Sequence, residues 1–214
     1  MATEISRLRA LTERSRTLDP VRETQLTFRV LLDAMARPGT VRHLPVAAEG
    51  APVNPWMAAA LLTLLDHEVG LAVDRFSGAD ALERYVRQRT AARVTPSEQA
   101  DFVVSSRDTL DASLPLRLRQ GTLEYPNDST TLLILVPPLG TEHGLRLDLA
   151  GPGVPTGHQA WIGGLAPAFF AARDEAAEYP CGIDLLLIDP SGQVLALPRS
   201  TKITVSRSDA PAGR

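Results

Sequence analysis

The chain has 214 residues, of which 44% are hydrophobic and 22% charged, with a formal net charge of −3 at pH 7. That length suits one domain, and the composition excludes general disorder and nucleic-acid binding driven by overall positive charge. A single cysteine, Cys181, excludes an intrachain disulfide and a thiolate metal cluster, and no apolar run approaches the ~18 residues of a membrane-spanning helix.

Residues 1–18 are expected to form an arm or a short surface helix. Ile5, Leu8 and Leu11 fall at helical spacing among Arg7, Arg9, Arg14 and Arg16, while Glu4 and Glu13 argue against a transit peptide. With no apolar signal core, a cytoplasmic protein is expected. Asp19 and Pro20 read as the N-cap and first residue of a helix, because proline lacks an N–H that the first turn cannot use. Val21, Phe28, Leu31, Leu32 and Met35 make one apolar face, and Pro38-Gly39 ends the helix.

Val41–Leu44 is a short strand candidate. Asn54-Pro55 opens a helix through about Leu65, surrounded by Trp56, Met57, Leu61, Leu62, Leu64 and Leu65. Such a helix is either deeply buried or part of a subunit interface. Val69–Val73 reads as a buried strand and residues 79–89 as a helix. Thr95-Pro96 starts a short helical turn, and Phe102–Ser105 is a strand. Pro115 interrupts a leucine-rich stretch, which leaves residues 107–120 ambiguous.

Thr130–Val136 is a strong strand. Leu145, Leu147 and Leu149 alternate with Arg146 and Asp148 in a half-buried strand, and Pro137–Gly144 is expected to join these two as a hairpin. Pro167 begins a helix through about Glu178, packed through Phe169, Phe170, Ala172 and Ala176. Ile183–Ile188 and Val194–Leu197 form a second hairpin about Asp189-Pro190-Ser191-Gly192, and Ile203–Val205 extends the sheet. The pattern predicts one α/β domain over residues 19–205, with a mixed β-sheet flanked by helices, and a disordered tail over 206–214.

The candidates for chemistry are individually weak. Asp66-His67-Glu68 offers three potential metal ligands, but adjacent side chains on a turn seldom converge on one ion, and no HExxH or HxH spacing links His43, His143 and His158. Cys181 reads as a buried structural thiol. The loop Gly151–Gly157 offers backbone donors, but its two prolines remove some and no P-loop lysine follows. Twenty-one of the 22 basic residues are arginine, so a Schiff-base lysine would have to be Lys202. Bases exceed acids 13 to 11 in residues 1–93, and acids exceed bases 14 to 9 in 94–214. This asymmetry fits a charged partner face or a solvated surface.

Asp184 lies inside a very apolar strand, where a carboxylate faces a cleft or holds a buried hydrogen-bond network. The segment Arg199-Ser200-Thr201-Lys202 combines cations and hydroxyls, which suits phosphate or a solvated loop. The 189–192 turn brings residues near 184 beside those near 198. Asp184 and Arg199 then form a structural ion pair, or an anion-binding corner completed by Thr201, or make no contact.

Taken together and in order, several motifs resemble the PhnH family. They are Pro20-Val21…Gln25…Phe28-Arg29…Leu31-Leu32…Ala34-Met35…Pro38-Gly39; Leu61–Asp66; Gly121…Pro126…Thr130-Thr131-Leu132; Leu145-Arg146-Leu147…Gly151-Pro152-Gly153-Val154; Pro180–Leu185; and Leu195–Thr201. The resemblance implies a subunit of the bacterial carbon–phosphorus lyase core complex, with PhnG, PhnI and PhnJ as partners. This machinery transfers ribose triphosphate from ATP to alkylphosphonates. It implies a homodimer whose fold is similar to the large domain of pyridoxal-phosphate-dependent transferases, without the cofactor or its lysine. No metal, nucleic-acid or membrane partner is expected. No catalytic residue can be carried over, so the chain is expected to be an accessory or assembly subunit; the alternative is a diverged transferase-type enzyme with its own small-molecule site.

Overall fold

A computed structural model describes residues 20–206. The expected arm at 1–18, the proposed cap Asp19 and the tail from 207 onward lie outside the described residues. The helices are α1 (Pro20–Ala36), α2 (Pro55–Leu64), α3 (Ala79–Thr90) and α4 (Pro167–Ala176). The strands are β1 (Arg42–His43), β2 (Gly70–Val73), β3 (Arg93–Val94), β4 (Phe102–Ser106), β5 (Thr131–Leu135), β6 (Leu145–Ala150), β7 (Gln159–Ile162), β8 (Asp184–Ile188), β9 (Gln193–Leu197) and β10 (Lys202–Ser206).

A seven-stranded sheet runs β1-β9-β8-β5-β4-β2-β3, and a separate three-stranded sheet runs β10-β6-β7. The run from β3 to β8 is parallel, while β9 is antiparallel to β8 and β1 to β9. This is a single α/β domain with a mixed sheet flanked by helices. One face of the large sheet packs on Leu31, Ala34, Met57, Leu61, Leu82 and Val86 of α1, α2 and α3. The other packs on Phe169 and Phe170 of α4 and on the small sheet through Leu147, Leu149 and Ile162.

The covered faces explain the uninterrupted apolar run of β8. Leu185 and Leu187 point into one core, and Leu186 and Ile188 into the other. They also explain two corrections. The expected β5–β6 hairpin does not form, because β4 and β8 take both edges of β5. The alternating strand β6 pairs instead with β7, a strand the sequence reading missed, and with β10. An alternating strand needs a sheet with one wet face, and the large sheet offers none at its centre. For the same reason Ile203–Val205 does not extend the large sheet: Ile203 and Val205 lie opposite Leu149 and Leu147 of β6. Ser206, expected in the tail, is the last residue of β10.

Asn54 Oδ1 accepts from the backbone N–H groups of Trp56 and Met57, which starts α2 as expected. Residues Met57–Leu61 are buried within the domain, so this helix needs no subunit interface to cover it. Trp56 is half-buried, edge-on to His43. It also lies under Gly192, whose φ of 89° requires glycine and where a Cβ would strike the indole ring. The α1 expectation is only half right. Leu31 is buried together with Thr27 and Ala34, whereas Phe28 and Leu32 face outward at 47% and 56% exposure.

Candidate functional site

Asp184 and Arg199 meet. The β8–β9 register sets Leu185 opposite Leu197, which leaves Arg199 just past the strand end, beside the first residue of β8. Asp184 Oδ1 accepts from the Arg199 backbone N–H at 2.7 Å and from its Nε at 3.3 Å, and Oδ2 accepts from Nη2 at 2.6 Å. Nη1 donates to the carbonyl of Pro126. Gly182, at φ 140°, leaves room for the Arg199 side chain, since a Cβ there would lie 3.0 Å from that of Arg199. Asp184 itself is 8% exposed.

The sequence reading missed a second cation at this corner. Arg173 of α4 is 2% exposed. Its Nη2 donates to the Pro198 carbonyl at 2.7 Å, and its Nη1 to the Thr201 carbonyl at 3.3 Å and Asp174 Oδ1 at 3.2 Å. Burial pushes this guanidinium below its ordinary pKa, opposed by the charges of Asp174 and Asp184. A signal for it existed: Arg173 stands four residues after Phe169 and three after Phe170, on the face those phenylalanines bury.

Thr201 is buried, and its hydroxyl has no partner among the described residues. Arg173, Arg199, Thr201, exposed Lys202 and half-buried Cys181 line a cavity of about 240 Å³. Cys181 is thus a partly accessible free thiol rather than the buried one expected.

The contacts the corner makes are those of a clamp. Every nitrogen of the Arg199 guanidinium, and both Nη atoms of Arg173, donate to carbonyls or carboxylates of the chain itself. They tie the β9–β10 connection to β8, to the Pro126 loop and to α4. Asp184 also marks the amino end of a parallel strand, and open α/β sheets bind ligands at the carboxyl ends.

At that carboxyl edge lies a larger cavity, about 620 Å³, between β4, β5 and the start of α2. Its walls include Leu135, Pro137, Pro138 and Pro190, and its polar groups are Asn54, Ser106, Arg107 and Asp108. The donors of α2 are already used: Trp56 and Met57 by the Asn54 side chain, Ala58 by the Asn54 carbonyl. Arg107 pairs with Asp108 at 3.0 Å. The edge is shaped for an apolar or neutral group more than for an anion.

Asp66, His67 and Glu68 lie exposed after α2, and no group of three metal-ligating side chains occurs among the described residues. The Gly151–Gly157 loop packs its Gly153 against the Ala36 carbonyl at the end of α1. No helix among the described residues is long and apolar enough to cross a membrane.

Comparison with known proteins accounts for the collinear motifs. Residues 16–204 match the family described as bacterial phosphonate metabolism protein (PhnH). The chain is also 35% identical, over 190 residues, to the alpha-D-ribose 1-methylphosphonate 5-triphosphate synthase subunit PhnH of Rhizobium meliloti (strain 1021). That alignment covers 86% of this chain and 92% of the relative. With the family match running from before α1 into β10, the chain belongs to the PhnH family.

Proposed function

We propose that this chain is the PhnH subunit of a synthase that makes alpha-D-ribose 1-methylphosphonate 5-triphosphate during phosphonate catabolism, within a carbon–phosphorus lyase core complex. The observation that carries this reading is the 35% identity extending over 92% of the synthase subunit's length. Its partners are PhnG, PhnI and PhnJ, its location is the cytoplasm, and in isolation it is a homodimer. Its role is assembly rather than chemistry. All three guanidinium nitrogens of Arg199 and both Nη atoms of Arg173 donate within the chain, and Arg107 and Asp108 at the carboxyl edge pair with each other. The fold is similar to the large domain of pyridoxal-phosphate-dependent transferases. Lys202, the chain's only lysine, lies exposed on β10 of the small sheet, which supports a cofactor-free role.

Deleting the gene should abolish growth on methylphosphonate as sole phosphorus source while sparing growth on phosphate. The purified chain should release no adenine from ATP and methylphosphonate, whereas the assembled subunits should. Normal growth of the deletion strain, with no second gene copy, overturns the assignment. Adenine release by the chain alone overturns the non-catalytic role and supports the transferase alternative.

A further inference from the structure

Helix α1 is apolar on two faces, and the domain covers only one. Thr27, Leu31 and Ala34 turn inward and are at most 3% exposed. Val21, Phe28 and Leu32 are 74%, 47% and 56% exposed. At about 100° per residue these three fall within about 40° of arc, so they form a single stripe along the helix. The other large exposed apolar side chains, Val94, Leu116, Leu123, Tyr125 and Tyr179, lie outside the α-helices. A helical stripe of this kind marks an interaction surface.

The charge beside the stripe selects the occupant. Arg22 and Arg29, seven residues apart and both exposed, border the same side of it. Neither makes an ion pair among the described residues. The one aspartate of α1, Asp33, is engaged by Arg37 and Arg42. The segment before α1 carries four arginines against Glu4, Glu13 and Asp19, so its charge does not complement this border.

We propose that the outer face of α1 docks another subunit of the synthase through a helix that carries an apolar stripe flanked by acidic residues. Phe28 and Leu32 are the anchors, and Arg22 and Arg29 set the register. This rests on the reading of the chain as a synthase subunit.

The test co-expresses the tagged full-length chain with PhnG, PhnI and PhnJ and measures the subunits captured, with the melting temperature of each variant as a control. Phe28→Asp with Leu32→Asp should cut capture at least tenfold with only a small fall in melting temperature, because about half of each side chain already faces water and the two aspartates repel weakly along the helix. Arg22→Glu with Arg29→Glu should also weaken capture, more at low salt than at high. Failure of the unaltered chain to capture any of the three overturns the synthase reading itself. Full capture by the Phe28/Leu32 variant overturns the docking face alone. Light scattering then tests the other occupant: loss of a dimer in the variant assigns the stripe to a second copy.

Discussion

Replacing Arg199 with alanine removes three side-chain hydrogen bonds at once. Asp184, with its side chain 11% exposed, keeps only the Arg199 backbone N–H at 2.7 Å. The Pro126 carbonyl loses its guanidinium donor. Breaking one side of a buried ion pair costs roughly 3–5 kcal/mol, because the remaining charge is uncompensated. The Arg199 side chain is 20% exposed, so water can reach part of the vacated space. That places the cost near the lower bound, about 3 kcal/mol. For a domain of this size each kcal/mol lowers the melting temperature by about 2–4 °C, giving an expected fall of ~6–12 °C. Thermal unfolding followed by circular dichroism measures it. Arg199→Lys should recover only part of the loss, since an ammonium cannot reproduce the two-point contact. Adding Asp184→Asn to Arg199→Ala should cost less than the sum of the two changes, because both remove one interaction. A fall below about 2 °C refutes the structural clamp. If the alanine variant also assembles normally yet fails to support growth on methylphosphonate, the corner binds a ligand instead.

Two further outcomes follow from buried and exposed carboxylates. Asp189 is fully buried, and its carboxylate accepts from the N–H groups of Ser191, Gln193 and Leu139 and from the Ser191 hydroxyl; Asp189→Ala should therefore lower unfolding free energy by ~3 kcal/mol, read from the urea midpoint, and an unchanged midpoint refutes this account of the turn. Asp111 is held down to a pKa of about 2, chiefly by the Arg117 hydrogen bond and then by Ser113. A folded-state value below the ordinary 3.8 stabilises the fold above that pH, and the contribution fades as pH falls toward about 2. A carboxyl NMR titration should show that low midpoint and its rise in Arg117→Ala; a wild-type midpoint near the ordinary value refutes it.

Local chemistry made much of the fold legible. Asn54-Pro55 announces α2 because a side-chain acceptor and a residue without an N–H together solve the first turn's unpaired donors. The Asp189–Gly192 turn announces the β8–β9 hairpin, and its register delivers Asp184 to Arg199. Phe28 and Leu32 were misplaced because helical periodicity shows that a residue shares a face, not which of two apolar faces the core takes. Arg173 escaped notice because its partners are the carbonyls of Pro198 and Thr201, and backbone acceptors leave no mark on side-chain patterns.

The sequence by itself determined the α/β class, most helix starts, the β8–β9 hairpin and, through collinear motifs, membership of the family. Only the tertiary structure decided that β6, β7 and β10 leave the large sheet, that Arg173 closes the Asp184–Arg199 corner, and that α1 keeps an apolar stripe in water. The physical reason is range. Caps, turns and alternation act over a few residues and are written locally, whereas strand partners and buried faces depend on which distant segments compete for the same edge or core.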